Sequence, residues 1–156
     1  MPILLDNKKI KLLLDRGVTP EIRQQLERVL KPKNPRYGKA KGARFQMEIC
    51  RDVAQLLGTS FDNQDDVSDI HSRGMGQHGT DIIVTGNHRE LFPWEIECKS
   101  TQTLPLKGAI EQVVKNTPDG RKPLILWKYA GHGVYAVLKW VDLQELMQGS
   151  INEKKA

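Results

Sequence analysis

The amino-acid sequence predicts an α/β protein, a mixed β-sheet with helices packed on it, preceded by an N-terminal helical extension. Three observations predict this class. Phe45, Ile49, Val53, Leu56 and Leu57 recur at helical spacing, strand-sized apolar segments recur around Ile82, Ile96, Leu124 and Val137, and the two patterns alternate along the chain.

The elements follow in order. Thr19, Pro20 and Glu21 read as an N-cap, a proline at the first helical position and an acid in the first turn, which starts a helix that runs to about Leu30. A second helix is expected over about 41–57, stopped by Gly58. Strands follow near 69–73, 81–85 and 92–99, then a helix over 105–116 that ends at Pro118, Asp119 and Gly120. Residues 124–128 and 134–140 read as a hairpin around 129–133. Asp142 caps a last helix through Met147. The expected organisation is an extension with a basic linker over 1–38, a single domain over 39–148 and a flexible tail over 149–156.

The chain has 156 residues, 38% of them hydrophobic, which is enough for a core at this length. Lys and Arg number 24 against 19 Asp and Glu, a formal net charge of +5. That charge is local. Residues 31–44 hold Lys31, Lys33, Arg36, Lys39, Lys41 and Arg44 with no acid among them, so this window exceeds the excess of the whole chain. Pro32, Pro35, Gly38 and Gly42 make it read as a linker or loop, and Tyr37 and Phe45 among the charges point to a polyanionic partner such as DNA. Asp62, Asp65, Asp66 and Asp69 form an acidic stretch that reads as a solvated face.

Several function classes are disfavoured. Cys50 and Cys98 are too few for a disulfide framework or a four-cysteine zinc site, which fits a reducing cytoplasm. The apolar start breaks at Asp6, too early for a secretory signal, and no window approaches the length of a membrane span. His71, His78, His88 and His132 lack zinc-ligand spacing, and no Ser-His-Asp or Cys-His arrangement is visible. The glycine-rich stretch 72–79 lacks the Gly-Lys-Ser/Thr ending of a phosphate-binding loop, so no nucleotide cofactor is expected.

The chemistry concentrates in Gly79-Thr80-Asp81-Ile82-Ile83-Val84 and Phe92-Pro93-Trp94-Glu95-Ile96-Glu97-Cys98-Lys99. Alternation along a strand turns Trp94, Ile96 and Cys98 one way, into a core, and Glu95, Glu97 and Lys99 the other. If the two strands pair, Asp81 comes close to Glu97 and Lys99. Two converging carboxylates repel unless a cation joins them, and hard oxygen ligands select Mg²⁺, with Mn²⁺ able to substitute. The carbonyl of Cys98 could add a neutral ligand. Lys99, facing the same spot, could orient a water and steady phosphate charge. The bland alternative is an exposed strand face whose Glu and Lys pair with neighbours. The stretch from Ser72 and Arg73 to Gly79 is open to two readings: a flexible connector, or a loop whose Ser72 and Arg73 donate to a scissile phosphate.

At these residues the sequence resembles the PD-(D/E)xK nuclease superfamily, and within it the small Holliday junction resolvases of the phage and archaeal type. The resembling segments are Lys41-Gly42-Ala43-Arg44-Phe45-Gln46, Ser72 with Met75-Gly76, Gly79-Thr80-Asp81, Phe92 through Lys99, Ala109-Ile110-Glu111-Gln112, Pro123-Leu124 and Val134-Tyr135-Ala136-Val137-Leu138. They extend over about 41–146.

The resemblance implies a restriction-endonuclease-like core in which Asp81 and Glu97 bind the metal and Lys99 assists catalysis. It places Gln46 where the superfamily often has a Glu ligand; Gln46 offers a carbonyl oxygen without charge. Glu48 lies about 200° around the helix from Gln46 and reads as solvated. Gln112 takes the place of a polar residue facing the site, and Lys128 that of a phosphate contact, with a plain surface lysine as the other reading. Glu95 is outside the family pattern and reads as a surface or supporting residue. The implied activity is Mg²⁺-dependent cleavage of branched DNA at four-way junctions by a homodimer, two sites making paired cuts. The alternatives are a nuclease for flaps, other branched or foreign DNA, and a non-catalytic DNA-binding protein of the same fold.

Overall fold

Helical periodicity, strand alternation and turn glycines divide the chain as the sequence pattern suggests, with informative differences. The protein is described here from a computed structural model, which describes residues 7–30, 35–62, 68–74 and 76–154; Lys31, Pro32, Lys33, Asp65, Asp66 and Met75, which carry sequence expectations, lie outside the described residues. The chain forms two compact units, Met1–Gly38 and Lys39–Ala156.

The first unit contains α1 (Asn7–Asp15) and α2 (Pro20–Leu30), which lie against each other. Gly17, at φ +78°, reverses the chain between them in a conformation other residues rarely adopt. The Thr19 hydroxyl accepts the Ile22 N–H at 3.4 Å, the capping bond its sequence position suggested, and Arg23 donates to the Leu14 carbonyl at 3.1 Å.

α3 (Pro35–Leu56) begins at the end of the first unit and runs into the second. This corrects the expectation of a basic linker: Arg36, Lys39, Lys41 and Arg44 are helical. Pro35 occupies the first helical position, where its missing N–H has no partner to lose. Gly38 and Gly42 each weaken the helix by about 1 kcal/mol relative to Ala. Burial of Phe45, Ile49 and Val53 offsets that at about 1.5–3 kcal/mol each.

The sheet comprises β1 (Ile70–Ser72), β2 (Ile82–Val84), β3 (Trp94–Lys99), β4 (Lys122–Tyr129) and β5 (Gly133–Val137), in the spatial order β1-β2-β3-β4-β5. β3 and β4 are parallel and every other pair is antiparallel, so the sheet is mixed. A parallel pair requires a crossover, supplied by α5 (Leu106–Asn116). One sheet face buries Ile70, Ile82, Val84 and Ile96 against Phe45, Ile49, Cys50 and Val53 of α3. The other packs Ile125 under Ala109 and Val113 of α5.

A short α4 (His88–Leu91), for which the sequence showed no periodicity, fills the turn between β2 and β3. The last helix, α6 (Trp140–Glu153), starts two residues before Asp142 and continues through Gly149, so 149–153 is helical rather than frayed. Asp69 is partly exposed and also has partners within the fold. It accepts from Thr85 and pairs with His88 Nδ1 at 3.0 Å, and Gly86, at φ +59°, lies so close that a Cβ there would stand 2.8 Å from its carboxylate. Among the described residues no helix is long and apolar enough to cross a membrane.

Candidate active site

The antiparallel register that pairs Ile82 with Ile96 brings the residue before β2 to the end of β3. The Asp81 N–H donates to the Ile96 carbonyl at 2.8 Å, and its carboxylate Oδ2 accepts the Cys98 N–H at 2.7 Å. The side chain of Gln46, one turn from Cys50 on α3, also hydrogen-bonds the Asp81 carboxylate. Asp81 is therefore tied to both β3 and α3.

Glu97 is 2% exposed and lies beneath α5. Its Oε1 accepts from Lys99 Nζ at 2.7 Å and from Gln112 Nε2 at 2.7 Å, while the Gln112 carbonyl accepts from Lys99 Nζ at 2.8 Å. The three side chains form a closed triangle. The other oxygen, Oε2, is buried and has no hydrogen-bond partner. A buried carboxylate oxygen left unpaired is unfavourable, and a cation is the natural partner for it.

Electrostatics agree with the geometry. Burial pushes the Asp81 carboxyl above its usual range; the Cys98 N–H, the Lys99 charge, the Gln46 hydrogen bond and Arg73 act against that rise. Burial likewise raises Glu97, countered by its hydrogen bond to Lys99 and reinforced by the charge on Asp81. For both acids these partners offset burial only in part, a condition a divalent cation would relieve. Burial also holds the Cys98 thiol above its usual range and pushes Cys50 up to about 12, so neither is a thiolate ligand at neutral pH.

Arg73 reaches the site along the backbone. Its N–H donates to the Asp81 carbonyl at 2.7 Å and its Nε to the Thr80 carbonyl at 2.8 Å. The guanidinium lies across Gly79, at φ +119°, where a Cβ would stand 2.6 Å from it. Only glycine leaves this space. Ser72 does not join Arg73: its hydroxyl donates to Met47 Sδ at 3.6 Å, toward α3. Lys128 and Glu48 correct two expectations. They form an ion pair, so Glu48 is not merely solvated, and Lys128 Nζ also lies 5.6 Å from the Phe45 ring centre, turned toward α3 rather than toward Lys99. Arg36, Lys39, Lys41 and Arg44 precede Gln46 on α3.

The structure gives Glu95 partners that the sequence did not single out. Glu95 is 7% exposed; it accepts from the Thr80 hydroxyl at 2.7 Å and from Arg121 Nε at 3.0 Å, with Arg89 at 3.4 Å. Arg121 also donates to the carbonyls of Arg89 and Phe92, both at 2.7 Å. Glu95 is thus a buried clamp holding the residue before Asp81 to β3. Alternation placed it on the Glu97 face, but nothing near Arg121 in the sequence announced its partner.

Among the described residues no group of three or more His, Cys, Asp or Glu side chains is placed to hold a metal. The Gln46 amide stands beside the Asp81 carboxylate where a third acid could have stood. The oxygen groups of Asp81, Glu97 and Gln46, with one buried carboxylate oxygen unpaired, would suit Mg²⁺ or Mn²⁺. No family model, curated protein or solved structure matches the chain.

Proposed function

We propose that this chain is a Mg²⁺-dependent endodeoxyribonuclease of restriction-endonuclease-like fold, acting as a homodimer on four-way DNA junctions in the cytoplasm. The observation that carries the reading is the unpaired, buried Glu97 Oε2 beside Asp81, with Lys99 and Gln112 occupying Oε1. That division leaves one carboxylate oxygen for a cation while the other fixes the lysine.

In this reading Asp81, Glu97 and the Gln46 carbonyl oxygen hold the cation, and the Cys98 carbonyl is a further oxygen within the same strand. The cation supplies Lewis-acid stabilisation of charge on the scissile phosphate. Lys99, steered by Gln112, has one N–H left to orient a water toward the phosphorus, and its charge steadies the phosphate. Arg73, anchored over Gly79, adds positive charge from the Asp81 side. The basic residues of α3 contact phosphates, which carry position rather than sequence. A homodimer suits paired cuts, because a twofold axis presents two such sites to opposed strands.

The test is incubation of a synthetic immobile junction with Mg²⁺, scored for symmetric nicks, beside flap and linear duplex of the same sequence. Cutting of flaps in preference to junctions moves the substrate to other branched DNA. Junction binding without any nicking assigns a non-catalytic DNA-binding role.

A further inference from the structure

The face of β4 that packs under α5 at Ile125 continues past the helix as a row of rings. Trp127 and Tyr129 are two residues apart and so face the same side, and the register sets Trp127 opposite Lys99 on β3 and Tyr135 on β5. Trp127 and Tyr129 stack with ring centres 5.1 Å apart and planes within 17°, and Tyr129 stacks on His132 at 4.4 Å and 12°. Tyr135 leans on Trp127 at 5.8 Å. The indole N–H donates to the Thr101 carbonyl at 2.9 Å, which fixes its orientation. Tyr135 is nonetheless 47% exposed, and His132 is exposed too.

A hairpin gains stability from cross-strand aromatic pairs, but that does not require four rings ending in open solvent beside a candidate catalytic lysine. Trp127 lies one strand spacing, about 4.8 Å, from Lys99. We propose that this row is a stacking platform for an unstacked DNA base, the base resting against Tyr135 and Trp127 while its phosphate lies toward Asp81, Glu97 and Lys99. The inference rests on the nuclease reading above and deepens it. In a linear duplex both faces of every base are covered by neighbours. At a branch point or in a single strand a base face is free, so a platform beside the lysine selects DNA by structure and tolerates any base. The exposed rings and imidazole, beside a lysine on a chain of net charge +5, suit a nucleotide better than an apolar peptide.

The experiment places 2-aminopurine at the branch point of an immobile junction and follows its fluorescence and the binding affinity without divalent metal. The full-length protein is compared with Tyr135→Leu, which keeps apolar volume on β5, with Tyr135→Phe, which keeps the ring, and with Trp127→Leu. Thermal midpoints are measured for each. The expected result is a fluorescence change on binding the wild type, and about tenfold or more weaker junction binding by Tyr135→Leu with linear-duplex binding unchanged. Tyr135→Phe is expected to retain wild-type binding. Equal junction affinity in Tyr135→Leu, equal weakening on duplex and junction, or no change in the probe overturns the platform. The two readings fail separately. A wild type that cuts junctions with Mg²⁺ equally well as Tyr135→Leu keeps the nuclease and loses the platform; one that shows the base signal but never cuts keeps the platform and loses the nuclease.

Discussion

The carboxylate of Asp81 accepts the backbone N–H of Cys98 at 2.7 Å, the residue that separates Glu97 from Lys99. One hydrogen bond therefore fixes the acid before β2 to the strand that carries the other acid and the lysine. The bond uses main chain, so shortening the side chain at position 98 does not remove it. Cys98→Ala is expected to retain most junction cleavage, whereas Asp81→Asn and Glu97→Ala each lose roughly a hundredfold or more in kcat. Single-turnover cleavage with Mg²⁺ in excess checks the contrast.

Gln112 touches both Lys99 and Glu97, so it holds the lysine without carrying charge. Gln112→Ala leaves the Lys99 to Glu97 bond in place and is expected to lower kcat by about tenfold with little change in junction affinity. Gln112→Glu places a third carboxylate beside Glu97 and is expected to demand higher pH for full activity, because like charges raise each other's carboxyl pKa. Rate against pH for the two variants separates these effects.

The raised carboxyls of Asp81 and Glu97 set the pH dependence of the metal-free protein. The unfolded chain releases these protons near pH 4, while the folded protein holds them to higher pH. Across that interval the folded state binds more protons, so stability falls as pH rises; the penalty is absent below about pH 4 and complete above the raised folded values. Glu97→Gln, which can keep both bonds to Oε1, is expected to raise the urea midpoint at pH 7 and to change it little at pH 4. Mg²⁺ at a hundred times its dissociation constant is expected to stabilise the wild type by about 2.7 kcal/mol at pH 7 and the variant less.

Arg121 supports Glu95 from inside the fold. Arg121→Ala leaves a carboxylate that is 7% exposed with only Thr80 and the more distant Arg89, and is expected to destabilise by about 3 kcal/mol, read from urea unfolding. Arg121→Ala with Glu95→Gln together is expected to recover part of that loss, since no charge then remains unpaired.

The charges on α3 act at longer range. Replacing Lys39, Lys41 and Arg44 with Gln is expected to reduce the slope of log affinity against log salt by about 2.7, if each meets one phosphate, and to leave the cut positions unchanged. Fluorescence anisotropy of a labelled junction across a salt series measures the slope.

Much of this was legible in the sequence. The α3 core stripe follows from a period of 3.6, and the meeting of Asp81 with Glu97 and Lys99 from a period of 2 once β2 pairs with β3. What escaped depends on distance along the chain. Pro35, Gly38 and Gly42 looked like loop residues because their local preference is for turns, and only burial of Phe45 and Ile49 against the sheet overrides it. Glu95 stayed open between a surface and a supporting residue because Arg121 lies well downstream with no motif around it. Lys128 looked available to a phosphate because its partner Glu48 lies on a helix at the opposite end of the domain sequence.

The parallel pairing of β3 with β4 has a consequence for inheritance. Because the crossover helix must lie between those strands in the chain, Glu97, Lys99 and Gln112 travel on one uninterrupted stretch. Recombination of gene segments, or an engineer's transplant, that moves β3 through α5 carries the lysine clamp whole and leaves behind Asp81, Gln46 and Arg73. The recipient would then need to supply an acid on a neighbouring antiparallel strand with its flanking amide and guanidinium, a smaller demand than assembling the cluster from scattered parts.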